Sequence, residues 1–462
     1  MITRRNFLRG TGALAGASIL PGGLLINPSA FARGTGQNVL VYLFLRGGID
    51  GLHLLAPMSG PERVAYESRR DSVLIPEDRL RPINSEWGFH PRLGGGPGDS
   101  VGTPVQWLHQ LYNQGRLAVI QGCGMSTAVN RSHFDTQAFI DLGTPGDKST
   151  NTGWLTRAAS LMPNLPEPLL STNFAFGSTA SRAVAGDAAA FSVSSAQEFR
   201  VDGFHWSWNE TNSDLAGHQG AHELLFPLWL GGGPDFVPAG RTAAEALEYM
   251  RQIDFRLFDP VDRPDGYQPE GGANYPSGTL GTQLRNLAQL IKLDTGVVAA
   301  TFDYGGWDTH EGQGVPNPGD PDHYDYYGIR LEEFSRSLHA FYTDLAGSSL
   351  GNLMNRVQVV VVSEFGRRVR SNGSAGTDHG YGNSMLALGG QVNGGLHGQF
   401  PGLDDLSLFE GQDLDVTTDY RQVLAELLVD RMGVAPGNLS QVFPGFGSYE
   451  PLDVFTNDLA FE

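Results

Sequence analysis

The sequence predicts an α/β fold, with a mostly parallel central sheet flanked by helices and an inserted subdomain. Two apolar runs carry most of that prediction: Val357-Gln358-Val359-Val360-Val361-Val362 and Asn38-Val39-Leu40-Val41-Tyr42-Leu43-Phe44-Leu45. Each is too β-branched or aromatic for a comfortable helix and too apolar for an edge strand, so each belongs in a sheet covered on both faces. The third observation is the alternation of such runs with amphipathic helical stripes, which builds a parallel sheet. Sheets of this kind place their chemistry at the carboxyl ends of their strands.

Length and composition set the bounds. The 462 residues leave room for three domains at about 150 residues each, or for one α/β domain with insertions. With Lys+Arg 31 against Asp+Glu 50, the net charge of -19 excludes nucleic acid or an anionic membrane as the main partner. An anionic substrate then needs local positive charge from a metal or from arginine. Cys123 is the single cysteine, so no intrachain disulfide forms.

The chain begins with Thr3-Arg4-Arg5-Asn6-Phe7-Leu8, a Gly/Ala-rich apolar stretch from Thr11 to Ile26, and Ala30-Phe31-Ala32. This resembles a twin-arginine (Tat) export signal over residues 1–32, cleaved after Ala32. The expected partners therefore include the Tat machinery, and the expected destination is the periplasm or beyond. The apolar stretch is too short and too broken by glycine to span a membrane, so no transmembrane segment is expected after cleavage.

Beyond the first strand, Arg46-Gly47-Gly48-Ile49-Asp50-Gly51 turns sharply and leaves Asp50 at the strand tip. Residues 61–100 read mostly as loop. A short helix over 105–114 leads into a strand from Leu117 to Ile120. Ser132, three residues before Asp135, has the spacing of a capping box opening a helix through Leu142. A helix start beside a strand tip is also an anion site, so both readings place Ser132 at one spot. From about 163 to 276 the pattern loosens, and this stretch is expected to form a cap over the sheet tips. A helix over 243–257 and the Trp206-Ser207-Trp208 cluster fall within it. Regular alternation then returns, with a helix over 280–293, a strand over 297–302, a helix over 327–345, the Val-rich strand, a short strand over 384–388 and a helix over 419–432.

Four strand tips carry candidate ligands: Asp50; Ser132 with His133; Asp308 with His310; and Glu364. The loop beyond the last adds Asp378 and His379. Carboxylate oxygen and neutral imidazole nitrogen are the ligand set of divalent metals, and clustered carboxylates need a cation to stay ionised. His53, His90, His109, His323, His339 and His397 read as structural or exposed.

Five motifs also carry a resemblance: Arg46-Gly47-Gly48-Ile49-Asp50-Gly51, Arg131-Ser132-His133-Phe134-Asp135, Gly306-Trp307-Asp308-Thr309-His310, Ser363-Glu364-Phe365-Gly366-Arg367 and Gly376-Thr377-Asp378-His379-Gly380. In this order behind a twin-arginine signal they resemble an exported bacterial family known as domain of unknown function 1501, grouped with the alkaline phosphatase and sulfatase superfamily. The resemblance implies a sulfatase-like fold over residues 33–462 and a metal-dependent hydrolase of phosphate or sulfate esters. It implies a divalent ion held by Asp50, Asp308, His310, Glu364, Asp378 and His379, with zinc first and manganese, iron or calcium as alternatives. Ser132 stands at the nucleophile position, and Arg131, His133 and Arg367 are expected to bind the anionic ester. Phe365 departs from the superfamily, which has a histidine there; His133 or Asp378 is the candidate to substitute. The stretch Cys123-Gly124-Met125-Ser126-Thr127 lacks the x-Pro-x-Arg that conversion to formylglycine requires. Two rival expectations are a non-catalytic exported binding protein on the same fold, and a metal-free serine esterase using Ser132 and His379. The second is disfavoured because Ser132 lacks a Gly-x-Ser-x-Gly elbow.

Overall fold

A computed structural model describes residues 36–95, 104–163, 165, 171–177, 180–187, 190–193, 250, 253–316 and 324–456. The expected signal over 1–32, the Trp206–Trp208 cluster and residues 243–249 and 251–252 of the expected helix over 243–257 lie outside the described residues; residues 253–257 are described and are not helical, Leu257 bridging to Tyr267 instead.

The core is a nine-stranded sheet. Its strands are β1 (Val39–Leu45), β5 (Leu117–Gly124), β6 (Asn173–Phe176), β7 (Phe191–Val193), β8 (Ala299–Tyr304), β9 (Val357–Val362), β10 (Asn383–Gly389), β11 (Gly395–Gly398) and β12 (Thr418–Asp419). They run in the order β11-β5-β10-β9-β1-β8-β6-β7, with β12 also on β5. β1 pairs in parallel with β8 on one side and β9 on the other. β10 is the exception, antiparallel to both β5 and β9. The strands β2 (Leu55–Pro57), β3 (Arg81–Pro82) and β4 (Trp87–Phe89) form a small antiparallel sheet.

The two long apolar runs sit at the centre because both their faces are buried. Val39, Val41, Leu43 and Leu45 pack in one core with Val357, Val359 and Val361, while Leu40, Tyr42 and Phe44 pack in another with Val360 and Val362. Helices close both sides. The first core takes α3 (Trp107–Asn113), α6 (Thr279–Lys292) and α7 (Tyr326–Ala346); the second takes α4 (His133–Leu142), α5 (Trp154–Ala159) and α8 (Tyr420–Asp430). This is the predicted mostly parallel α/β layering.

Two expectations need correction. Among residues 61–95, where mostly loop was expected, α2 (Gly60–Arg69) follows α1 (Gly51–Leu54) and the small sheet packs beneath it. Only Arg63 and Tyr66 of α2 are buried, so the sequence shows no apolar stripe there. Within the stretch expected to be a cap, β6 and β7 belong to the main sheet: Phe174 pairs with Ala300 on one side and Phe191 on the other.

Because the strands flanking the centre are parallel, the segments after β1, β5, β8 and β9, and the one leading into antiparallel β10, meet at one edge of the sheet. Those segments are the five motifs.

Candidate metal centre

Gly47 shows how closely the tips meet. Its φ is +125°, and an added Cβ would lie 2.5 Å from the Asp308 amide nitrogen. Only glycine lets the turn after β1 press against the turn after β8.

At this junction four side chains converge. The Nε2 atoms of His310 and His379 lie 2.8 Å apart. Each is 3.1 Å from Asp308 Oδ1, and His133 Nε2 is 3.3 Å from the same oxygen. The other ring nitrogens fix the tautomers. His379 Nδ1 lies 2.8 Å from the Arg131 carbonyl oxygen, His310 Nδ1 3.0 Å from Asp378 Oδ1 and His133 Nδ1 2.7 Å from Glu364 Oε1. A carbonyl or carboxylate oxygen only accepts, so each Nδ1 carries the proton and donates it. Each ring then turns its Nε2 toward Asp308. Lone pairs facing one another at this range repel unless a cation draws them together. Imidazoles tied through Nδ1 to an oxygen and offering Nε2 are the usual second-shell arrangement of metal-bound histidine. His133, Asp308 and His379 alone place their ligand atoms within 4.8 Å of one another.

The charges around the centre pull its groups in different directions. Burial opposes ionisation of Asp308, but the Arg367 guanidinium, with His379 and His133, holds it at about 2. Burial keeps His379 below the ordinary imidazole value and so in its ligand form. The Glu364 carboxylate at Nδ1, with Asp308 on the other side, instead pulls His133 above the ordinary imidazole value, which favours its protonated form. Phe365 packs on His133 and His379, with ring centroids 4.9 and 4.8 Å away.

The remaining candidates are placed around this centre rather than in it. Glu364 is buried behind His133 and also accepts from Gln137 Nε2 at 2.7 Å, from the Gly47 amide at 2.8 Å and from Ser363 Oγ at 3.1 Å. Burial works against its charge, and these donors nonetheless hold its pKa below the usual range. Its Oε1 faces the Nδ1 of His133 rather than the Nε2 cluster. Asp378 does the same for His310, and Asn372 fixes it by donating to Asp378 Oδ1 at 3.0 Å and to the His310 carbonyl at 2.8 Å.

Asp50, expected as a ligand, is fully engaged elsewhere. Arg70 donates to both its oxygens at 2.8 Å, and both side chains are buried. Gln313 Nε2 adds a bond to Asp50 Oδ2 at 2.8 Å. The Gln313 carbonyl oxygen accepts from Thr309 and Thr377 Oγ1, each at 2.9 Å. Asp50 thus anchors the two loops that carry His310 and His379.

Arg367, expected to clamp the ester, is buried. It donates to Asp308 Oδ1 at 2.5 Å, to the carbonyls of Gly48 and Thr377 at 2.7 and 2.8 Å, and to that of Gly47. It ties the strand tips together. Arg131 is likewise committed, bonding Asp413 and, at 2.8 Å, Glu410. Its contribution to the centre is the carbonyl that holds His379.

Ser132 stands at the N-cap of α4, but its hydroxyl makes no cap bond. The Asn130 side chain takes the Ser132 amide instead, at 2.7 Å, so the capping box does not form. Cys123 is buried, and burial pushes its thiol far above the usual range, which removes it as a nucleophile.

Among the described residues a second group gathers His53, His90 and Asp325, all buried. His90 Nδ1 accepts from the Arg92 amide at 3.2 Å, so its Nε2 carries the proton and has no lone pair to offer. The group is structural. Gln137, Gln313 and Asn372, whose amides carry no motif signature, were not legible in the sequence, while His133 was expected either to bind the ester or to substitute for the ligand that Phe365 replaces.

Residues 242–440 match the model of a family described as Protein of unknown function (DUF1501). That span holds the motifs around Asp308, Glu364 and His379, and the family is the one the motifs resemble. No curated protein matches the chain. Among solved structures it is similar to the lipoteichoic acid synthase LtaP from Listeria monocytogenes, with 11% sequence identity, a TM-score of 0.31 and coverage of 99% of this chain and 83% of that chain.

Proposed function

We propose that the protein is a metal-dependent hydrolase of an anionic phosphate or sulfate ester, with Ser132 as nucleophile. The carrying observation is the presentation of three Nε2 atoms to Asp308 Oδ1, each ring locked by an acceptor on its far nitrogen. Three imidazoles and a carboxylate favour zinc, manganese or iron over calcium, whose ligands are oxygens. His133, Asp308, His310 and His379 would hold one such ion, which when bound supplies Lewis-acid stabilisation of developing negative charge.

The residues of the chain supply position and the attacking group. Ser132 precedes ligand His133, at the start of α4, where free amides favour an anion. Its oxygen would form a bond to phosphorus or sulfur as the bond to the leaving alcohol breaks, the hydroxyl proton leaving with that alcohol. Water then hydrolyses the serine ester and releases the oxyanion. Glu364 and Asp378 hold His133 and His310 in the ligand tautomer throughout.

The test is a panel of aryl phosphates, aryl phosphodiesters and aryl sulfates, with and without chelator, on the purified chain and its Ser132→Ala variant. Turnover that chelation abolishes and the variant loses supports the reading. Full activity in the variant removes Ser132 from its role. A second reading, a non-catalytic binding protein on this fold, is favoured by Phe365 standing where the superfamily has a ligand; under it no ester of the panel turns over.

Export through the Tat machinery to the periplasm or beyond is part of the proposal and rests on Arg4-Arg5 and Ala30-Phe31-Ala32. Arg4→Lys/Arg5→Lys chains should remain in the cytoplasm, and unaltered export would contradict it. Among the described residues no helix is long and apolar enough to cross a membrane.

A further inference from the structure

On the far side of His310 lies a cavity of about 170 Å³, whose lining includes Arg69, Arg368, Arg370, Asn372, Asp378 and Asp405. Asp378 is shared with the metal centre, since its Oδ1 accepts from His310 Nδ1 at 3.0 Å. One side chain therefore separates the cavity from a ligand. The volume is below that of whole-ligand pockets, roughly 300 Å³ and up, and suits a single chemical group.

The cavity gathers three guanidinium groups in a chain of net charge -19, and their partners differ. Arg69 is satisfied by Asp405 at 2.6 Å. Arg368 Nε is buried without a hydrogen-bond partner; its nearest carboxylate, Asp413 Oδ1, is 3.9 Å away, and Arg131 holds the other oxygen of that group. Arg370 is exposed and makes no hydrogen bond or ion pair with any described residue. The carboxylates of the lining do not answer these donors. Asp378 is bound by His310 and Asn372, and Asp405 by Arg69. A buried N–H with no acceptor is costly, and a fork of guanidinium donors matches an oxyanion.

We propose that this arginine cavity receives a second oxyanion carried by the substrate, so that the preferred ester bears a further phosphate, sulfate or carboxylate beside the group that is cleaved. The substrate half rests on the ester-hydrolase reading; the oxyanion half rests on the arginines alone.

The probe is inorganic phosphate, titrated calorimetrically into the Asp308→Ala protein, whose ligand cluster is broken, and into the same protein carrying Arg368→Gln and Arg370→Gln. Thermal unfolding of each variant checks that the fold is kept. Saturable binding that weakens at least about tenfold on loss of the two arginines is expected. No binding, or equal affinity without the arginines, overturns the site. The second arm compares KM for aryl esters with and without an extra anionic group in the Arg370→Gln enzyme. A KM that rises more for the doubly charged ester is expected, and equal changes would reduce the site to one for free anions and overturn its substrate role. Phosphate binding with no turnover of any ester sinks the hydrolase reading and leaves the oxyanion site standing.

Discussion

His310 and His379 point their Nε2 atoms at each other across 2.8 Å, each with its Nδ1 proton given to an oxygen. If both rings are neutral with Nδ1 protonated, they have no hydrogen to share between them. A cation bound with Asp308 and His133, as proposed, would account for the contact, with the network behind the rings holding the pose.

Glu364 is the strongest test of that network. In Glu364→Gln, His133 loses the charged acceptor of its Nδ1 proton, while volume and burial stay nearly the same. Metal affinity should fall roughly 10–100-fold, read by competition with a chromophoric chelator. Unchanged affinity would remove Glu364 from its orienting role.

Asp50 separates the structural reading from the ligand reading. Asp50→Asn leaves the buried Arg70 charge unpaired, which should cost about 3–5 kcal/mol in urea unfolding. Metal stoichiometry of the folded variant should match that of the unaltered protein. Loss of metal with unchanged stability would restore Asp50 as a ligand.

His90 predicts an acid limb in stability. Burial, helped by Arg92 and opposed by Asp325, lowers its pKa from 6.5 to about 4. Between those values the unfolded chain binds more protons than the folded one. The stability is therefore fully present above about pH 6.5 and is lost as the pH falls to about 4, by roughly 3 kcal/mol for this group. Asn at this position keeps an acceptor for the Arg92 amide, so His90→Asn should flatten that limb in unfolding curves at pH 4 to 7; an unchanged limb would assign it to other groups.

What the sequence made legible follows from the range of the physics involved. β1 and β9 are buried on both faces, so their apolar runs are continuous and their bounds read directly. β6 is four residues long and gives no comparable run, so its place in the main sheet was hidden. At the centre, parallel strand tips brought Asp308, His310 and His379 together as the motifs implied. The roles of Asp50 and Glu364 were not legible, because a carboxylate looks the same whether it faces a metal, an arginine or an imidazole. Glu364 meets His133 across 231 positions, a contact no local pattern encodes. Arg367 misled for the same reason, since a Gly-Arg pair at a strand tip reads as an anion clamp until the fold turns it inward onto carbonyls.

His133, Asp308, His310 and His379 are the proposed ligands of one metal ion. Elemental analysis of the protein purified without chelator, beside an Asp308→Ala/His310→Ala variant, tests that claim directly. The prediction is one zinc, manganese or iron per chain, lost in the variant while the fold is kept. A folded protein with no bound metal, or a variant that retains it in full, would contradict the claim.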